Sequence, residues 1–246
     1  MAGLKEIRTR IASVKTTRQV TSAMKMVSAA KLKKAQDAIL QIRPYADKLY
    51  QILTSLSTSL ENVEDSVYTQ PREPKKILIV LITSNRGLCG GFNANISKKA
   101  VELAKTKYNT QLQLSNVDFI GIGKQGSRQL NHRGMNVIGT KNEVFNSLTF
   151  ENVSEIVTEI MKSFAIGEYD RIEIVYNQFK NAAMQIQTAE QFLPVEMDES
   201  ENQDANFDFI YEPSKENIIQ ELIPRSLKIQ FYKALLDSMQ PNTEPE

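Results

Sequence analysis

The chain has 246 residues, with 30 Lys+Arg against 29 Asp+Glu, one His, one Cys and no Trp; 41% of residues are apolar and 24% charged. This suits one large domain or a domain with extensions, and it excludes a disulfide framework, a cysteine metal cage and a histidine-pair metal site. No 18-residue apolar run is present to cross a bilayer, and the charged, helix-prone start lacks the apolar core of a secretory signal, so the expected setting is a reducing compartment, soluble or peripheral.

From Leu4 to Arg43 there is no Gly or Pro, and the propensities predict one long helix. Leu4, Ile7, Ile11 and Val14 fall on a heptad seam; the seam slips through Val20, Met24 and Val27, then resumes at Leu32, Ile39, Ile42, Leu49, Leu53, Leu56 and Leu60. Pro44 predicts a kink without a stop, because the seam continues in phase beyond it. A helix from Leu4 to Leu60 is about 85 Å long at ~1.5 Å per residue, too long for a compact domain, so it must project. Residues 1–48 carry eleven bases and three acids, a charge of +8, which leaves −7 on the remainder. The acid is concentrated in 191–212, with seven carboxylates and no base, so the chain presents two surfaces of opposite sign.

Residues 61–75 predict a linker, and the pattern changes at Lys76–Thr83 (KILIVLIT), a continuous run suited to a buried parallel strand. A Gly-rich turn, Ser84–Asn93, leads into a helix over Ala94–Tyr108; Val117–Gly121 predicts a second strand and Lys124–Asn131 a polar helical segment. Val153–Phe164 predicts an amphipathic helix, Arg171–Tyr176 a strand, and Met184–Leu193 an antiparallel strand near an edge. This alternation predicts an open, mostly parallel α/β sheet over 76–193. An acidic connection, 194–213, then leads to a helix over 214–240 with Ser214 as N-cap, a seam at Ile218, Leu222, Ile229 and Leu236, and a kink at Pro224; a Pro-rich tail, 241–246, ends the chain. The two terminal helices are natural partners in an antiparallel coiled coil.

Chemistry finds little support. Ser84–Asn93 sits where phosphate loops sit but lacks their glycine spacing and the Gly-Lys-Ser/Thr ending. Gly121, Gly123 and Gly126 spell a GxGxxG string after a short strand, for which ordinary turn packing is the preferred reading. His132 reads as a surface residue, and Cys89 has no partner that would make it a nucleophile. No catalytic, cofactor or metal site is expected. The basic helix has no aromatic residue within 1–44 to stack on bases, which weighs against nucleic acid.

Several long strings carry a family resemblance. Ile7–Val14, Thr21–Leu32 (TSAMKMVSAAKL), Arg43–Ala46 (RPYA), Ile82–Asn95 (ITSNRGLCGGFNAN), Tyr211–Pro213, Leu222–Leu227 (LIPRSL) and Tyr232–Ser238 (YKALLDS) resemble, in order, the gamma subunit of F-type ATP synthases. The resemblance implies a non-catalytic central-stalk rotor of a proton-translocating ATP synthase, peripheral to the cytoplasmic face of a bacterial inner membrane, with the alpha, beta and epsilon subunits and the c ring as partners and no nucleic acid. It implies a hexamer-facing shaft at Lys15, Arg18, Met24, Lys25, Met26 and Lys31. It further implies a foot toward the c ring or epsilon at Arg43, Tyr45, Phe209, Tyr211 and Glu212. The likeness stops near Ser238, so the C-terminal helix is expected to be shortened relative to the family, reaching back along the first helix only to about residue 33. Leu4, Ile7, Ile11 and Val14 would then lack a partner within the chain. The alternative is a non-rotary α/β scaffold whose basic helix binds nucleic acid or another partner.

Overall fold

The computed structural model describes residues 3–58, 66–87, 89–181, 184–195 and 215–239. Helix α1 (Leu4–Thr58) is a single 55-residue element that passes through Pro44 without interruption, about 80 Å long at ~1.5 Å per residue. It is followed by β1 (Ile77–Ile82), α2 (Phe92–Thr106), the short α3 (Asn109–Gln113), β2 (Val117–Ile122), α4 (Lys124–His132) and β3 (Asn136–Thr140). After one 3-10 turn come α5 (Phe150–Ala165), β4 (Arg171–Asn181), β5 (Met184–Leu193) and α6 (Lys215–Asp237), which contains Pro224.

The strands form one sheet in the order β3-β2-β1-β4-β5. Pairs β3·β2, β2·β1 and β1·β4 are parallel, and β5 is antiparallel to β4 at the edge. The predicted α/β class and the antiparallel edge strand are both present. β1 is apolar throughout because both its faces are covered. Leu78, Val80 and Ile82 enter a core with α5, α6 and Leu53 of α1, while Ile77, Ile79 and Leu81 enter a second core with Ile96, Ala100 and Ala104 of α2. The molecule is therefore three-layered, with α1 and α6 on the α5 side.

The opposite end of the sheet, where the parallel strands start, closes on two buried carboxylates. Asp118 accepts from the Tyr169 hydroxyl at 2.9 Å and from Asn136 Nδ2 at 2.6 Å. Glu173, 1% exposed, accepts from the Tyr108 hydroxyl and from Lys107 Nζ at 2.6 Å. Each carboxylate is thus paired within the chain, as burial of a charge requires.

α1 and α6 run antiparallel. Arg43 meets Asp237, while ten residues further along α1, Leu53 shares a core with Ile223 and Leu227. This register differs from the expected reach to residue 33: the end of α6 lies opposite Arg43. The cause is the sheet, since Ser238, just past α6, is hydrogen-bonded to the backbone of Asn177 on β4 and holds the helix end against the base.

Candidate functional site

Doubly wound sheets bind ligands in the crevice at the C-terminal ends of the strands, where the strand order reverses. Here the reversal lies between β1 and β4, and this chain's own helices fill the crevice. Asn177, 1% exposed and just past the β1–β4 pairing, donates its backbone N–H to Ser238 Oγ at 3.1 Å, and Ser238 Oγ donates to the Asn177 carbonyl at 3.4 Å. Arg43 Nη2 reaches the same place from α1, donating to the Phe179 carbonyl at 2.7 Å and to Asp237 Oδ1 at 2.9 Å. The crevice is a socket for the root of the projecting helix.

The GxGxxG string is closed by the neighbouring turn. The first three N–H groups of α4, which would cradle a phosphate, are already bonded: Lys124 N–H to Asn85 Oδ1 at 3.1 Å, Gln125 N–H to the Ser84 carbonyl at 3.3 Å, and Gly126 N–H to Thr83 Oγ1 at 2.8 Å. The Thr83 side chain fills the space itself, since a Cβ on Gly126 would stand 2.6 Å from Thr83 Oγ1. The Ser84–Asn93 turn is likewise tied internally: Asn93 Oδ1 accepts from Ser84 N–H at 3.0 Å, and Asn93 Nδ2 donates to Ser84 Oγ at 2.9 Å and to Cys89 Sγ at 3.0 Å. These loops hold the sheet's upper rim together. His132 is exposed at the end of α4. Among the described residues there is no cluster of three or more potential metal ligands, and no helix is long and apolar enough to cross a membrane.

The sequence-predicted shaft and seam residues separate into two sets. Between Gly3 and Val27 every residue is exposed except the half-buried Met24; Leu4, Ile7, Ile11 and Val14 are 73%, 49%, 63% and 68% exposed, as are Lys15, Arg18, Lys25 and Met26 to a similar class. Ile39, Leu49, Leu53, Ile229 and Leu236 are buried, and Leu222 packs half-buried on the core. Lys31 and Leu32 lie on α1 with their side chains outside the described residues. Of the foot residues, Tyr45 is exposed, Arg43 turns inward to Asp237, and Phe209, Tyr211 and Glu212 lie outside the described residues.

Sequence reasoning missed the polar groups around the socket, of which Asp237 is buried and Glu190 half-buried. Glu190 on β5 accepts from Gln230 Nε2 at 3.3 Å and from the Tyr176 hydroxyl at 3.4 Å, with Lys233 and Asp237 close enough to act on its charge. Burial pushes the Glu190 carboxyl above its ordinary range, against the opposing pull of Gln230, Lys233 and Tyr176. Burial likewise pushes the Asp237 carboxyl up, against Arg43 and Lys233. A carboxyl raised on folding destabilises the fold above its folded value, and that penalty is relieved as pH falls toward the ordinary 4.5 of a glutamate. Glu190→Gln is therefore expected to raise Tm at pH 7. The gain should vanish in scans run at or below pH 4.5, and an unchanged Tm at pH 7 would refute the assignment.

Comparison with known proteins adds a family. Residues 3–241 match the family model described as ATP synthase. An ATP synthase gamma chain from Cytophaga hutchinsonii is 49% identical over 241 residues, covering 97% of this chain and 82% of the relative. One from Flavobacterium johnsoniae is 53% identical over 238 residues, covering 97% and 81%. Among solved structures, the central stalk and c-ring structure of the Tetrahymena thermophila mitochondrial ATP synthase contains a similar chain. That chain matches at a TM-score of 0.61 and 22% identity, over 91% of this chain and 94% of its own length.

Proposed function

This chain belongs to the ATP synthase gamma family, and from that premise we propose that it is the central-stalk rotor subunit of a proton-translocating F-type ATP synthase. It makes and breaks no bond of the substrate itself. Rotation of the c ring turns the shaft inside the alpha–beta hexamer, and each orientation of the shaft stabilises a different state of each catalytic site. The supporting observation is the exposed half of α1. From Leu4 to Val27 it stands beyond the reach of α6, with aliphatic and basic side chains open to a partner.

The magnitudes fit that role. A tenfold change in nucleotide affinity needs about 1.4 kcal/mol of differential contact. Burying one exposed aliphatic side chain supplies roughly 1.5–3 kcal/mol. A few contacts made in one orientation and lost in the next therefore suffice. In this reading Lys15, Arg18, Met24, Lys25, Met26 and Lys31 face the hexamer, while Tyr45, with Phe209, Tyr211 and Glu212, belongs to the foot against the c ring and epsilon. The base spans 76–193, and the complex is held peripherally at the cytoplasmic face of a bacterial inner membrane. Family membership and the bare, aromatic-free first half of α1 favour this over a nucleic-acid scaffold.

The test is assembly. The tagged chain, co-expressed with alpha, beta and epsilon of the same complex, is expected to bring all three down. Added to alpha and beta, it should raise ATP hydrolysis several-fold over the subunits alone. Purification without alpha and beta, or no change in hydrolysis, would overturn the reading.

A further inference from the structure

The seam between α1 and α6 is close to self-similar. Leu222, Ile229 and Leu236 recur every seven residues on α6, opposite a heptad run of aliphatics on α1 that includes Leu49 and Leu53. Apolar contacts are non-directional. A slip of one heptad would put Ile229 where Leu236 stood and move the shaft by about 10 Å along its axis at ~1.5 Å per residue. Apolar burial alone discriminates poorly between such registers, as it does in coiled coils generally.

Arg43 and Asp237 break the degeneracy. Seven residues before Asp237 stands Gln230, so a slip in that direction offers Arg43 no carboxylate, and seven residues either side of Arg43 stand Gln36 and Tyr50, so neither direction offers Asp237 a cation from α1; Glu244, seven residues after Asp237, follows Pro241, beyond the end of α6. Asp237 is fully buried and the Arg43 side chain about two-thirds buried, so a slipped register would take from a buried carboxylate the one cation hydrogen-bonded to it, leaving only Lys233 on its own helix to act on its charge. Arg43 Nη2 also donates to the Phe179 carbonyl, a fixed point on β4, so the pair is referenced to the sheet as well as to α6. Ser238, bonded to Asn177 one residue later, locks the α6 side of the joint to the same strand.

We propose that Arg43 is a positioning residue which, through Asp237 and the Phe179 carbonyl, sets the axial register and rotational phase of the shaft on its base. Its role is specification more than stability, because replacing both members of a buried ion pair by apolar residues is commonly close to neutral, whereas removing one strands a charge. The register decides which faces of the upper shaft meet a partner, so the inference deepens the rotor reading. It is nevertheless tested without that reading.

The experiment uses the full chain with Cys89→Ser, carrying nitroxide labels at Ser22→Cys on the exposed shaft and Arg128→Cys on α4. Double electron–electron resonance then reports the distance from shaft to base. With Arg43 and Asp237 intact, one narrow distance is expected. In the double variant Arg43→Met with Asp237→Leu, Tm should stay within about 4 °C, the shift given by ~1 kcal/mol at this size. Its distance distribution should broaden and gain a population displaced by about 10 Å, one heptad. Arg43→Lys, which keeps a cation opposite Asp237, should retain the single distance. A double variant with the same single narrow distance as the parent would overturn the proposal, as would an Arg43→Lys chain that slips as far as the double variant. Either failure would leave the assembly test of the rotor reading standing.

Discussion

Gly123→Ala is expected to lower Tm by about 12 °C, within a range of roughly 4–24 °C, in thermal denaturation followed by circular dichroism. Gly123 joins β2 to α4 at φ 105° and ψ 135°, a region closed to residues with a side chain. Holding alanine there costs roughly 1–3 kcal/mol. A Cβ would also overlap the Thr83 carbonyl oxygen, a backbone atom fixed in the sheet and unable to move aside by changing rotamer. That overpacking adds a further ~1–3 kcal/mol. At 2–4 °C per kcal/mol for a chain of this size, the two effects together give the predicted fall. Two controls separate conformation from contact. Gly134→Ala shares a positive φ, 71°, but meets nothing within 4 Å, so only the conformational part should remain. Gly87→Ala meets only Gln125 Nε2 at 3.9 Å and has no positive φ, so it should leave Tm unchanged. A Gly123→Ala chain melting within 3 °C of the parent would show that the turn does not need this glycine.

The same turn illustrates how far the sequence could be read. The GxGxxG letters were visible, and so was the preference for a packing role. The plug was not, because Thr83 lies 43 residues from Gly126 and only the sheet brings them together. All the helices and strands but α3 and β3 emerged from propensity and pattern, most plainly those whose burial is one-sided or complete, such as α5 and β1. β3 was missed because it is five residues at a sheet edge, exposed at alternate positions, with Gly139 inside it. α3 is a single five-residue turn with no buried residue to give it a pattern. Glu173 sits in RIEIVY, where alternation alone would face it to water. Its burial becomes sensible only once Tyr108 and Lys107 arrive from another layer. Arg43 was legible as part of a family string, yet its inward turn depends on Asp237, 194 residues away. Local order could be read, whereas the polar pairs that fix one layer on another could not.

The joint and the shaft should respond oppositely to loss of apolar side chains. Phe231 is fully buried on α6 and packs edge-on against Phe192 of β5, with ring centroids 5.6 Å apart. Tyr232 makes a similar contact with Phe150 of α5 at 5.8 Å, so this turn of α6 is held by both the sheet and the helix layer. Phe231→Ala is expected to destabilise the chain by about 3–5 kcal/mol in urea denaturation, because the surrounding ring and aliphatics cannot close the space left behind. Leu4, Ile7, Ile11 and Val14 are equally apolar but between 49% and 73% exposed, so replacing all four by serine removes almost no burial from the free chain. Surface changes of that kind usually fall within ±0.5 kcal/mol each, and Tm should move by no more than a few degrees. The order reverses in the complex. If those side chains are covered by the alpha–beta hexamer at roughly 1.5–3 kcal/mol apiece, the four serines should weaken binding of the chain to purified alpha and beta by at least 100-fold. Phe231→Ala, assayed below its melting temperature, should bind within a few-fold of the parent, because the affected ring touches only the base. A four-serine chain that binds alpha and beta normally would remove the shaft from the interface and, with it, the physical ground for calling α1 an axle.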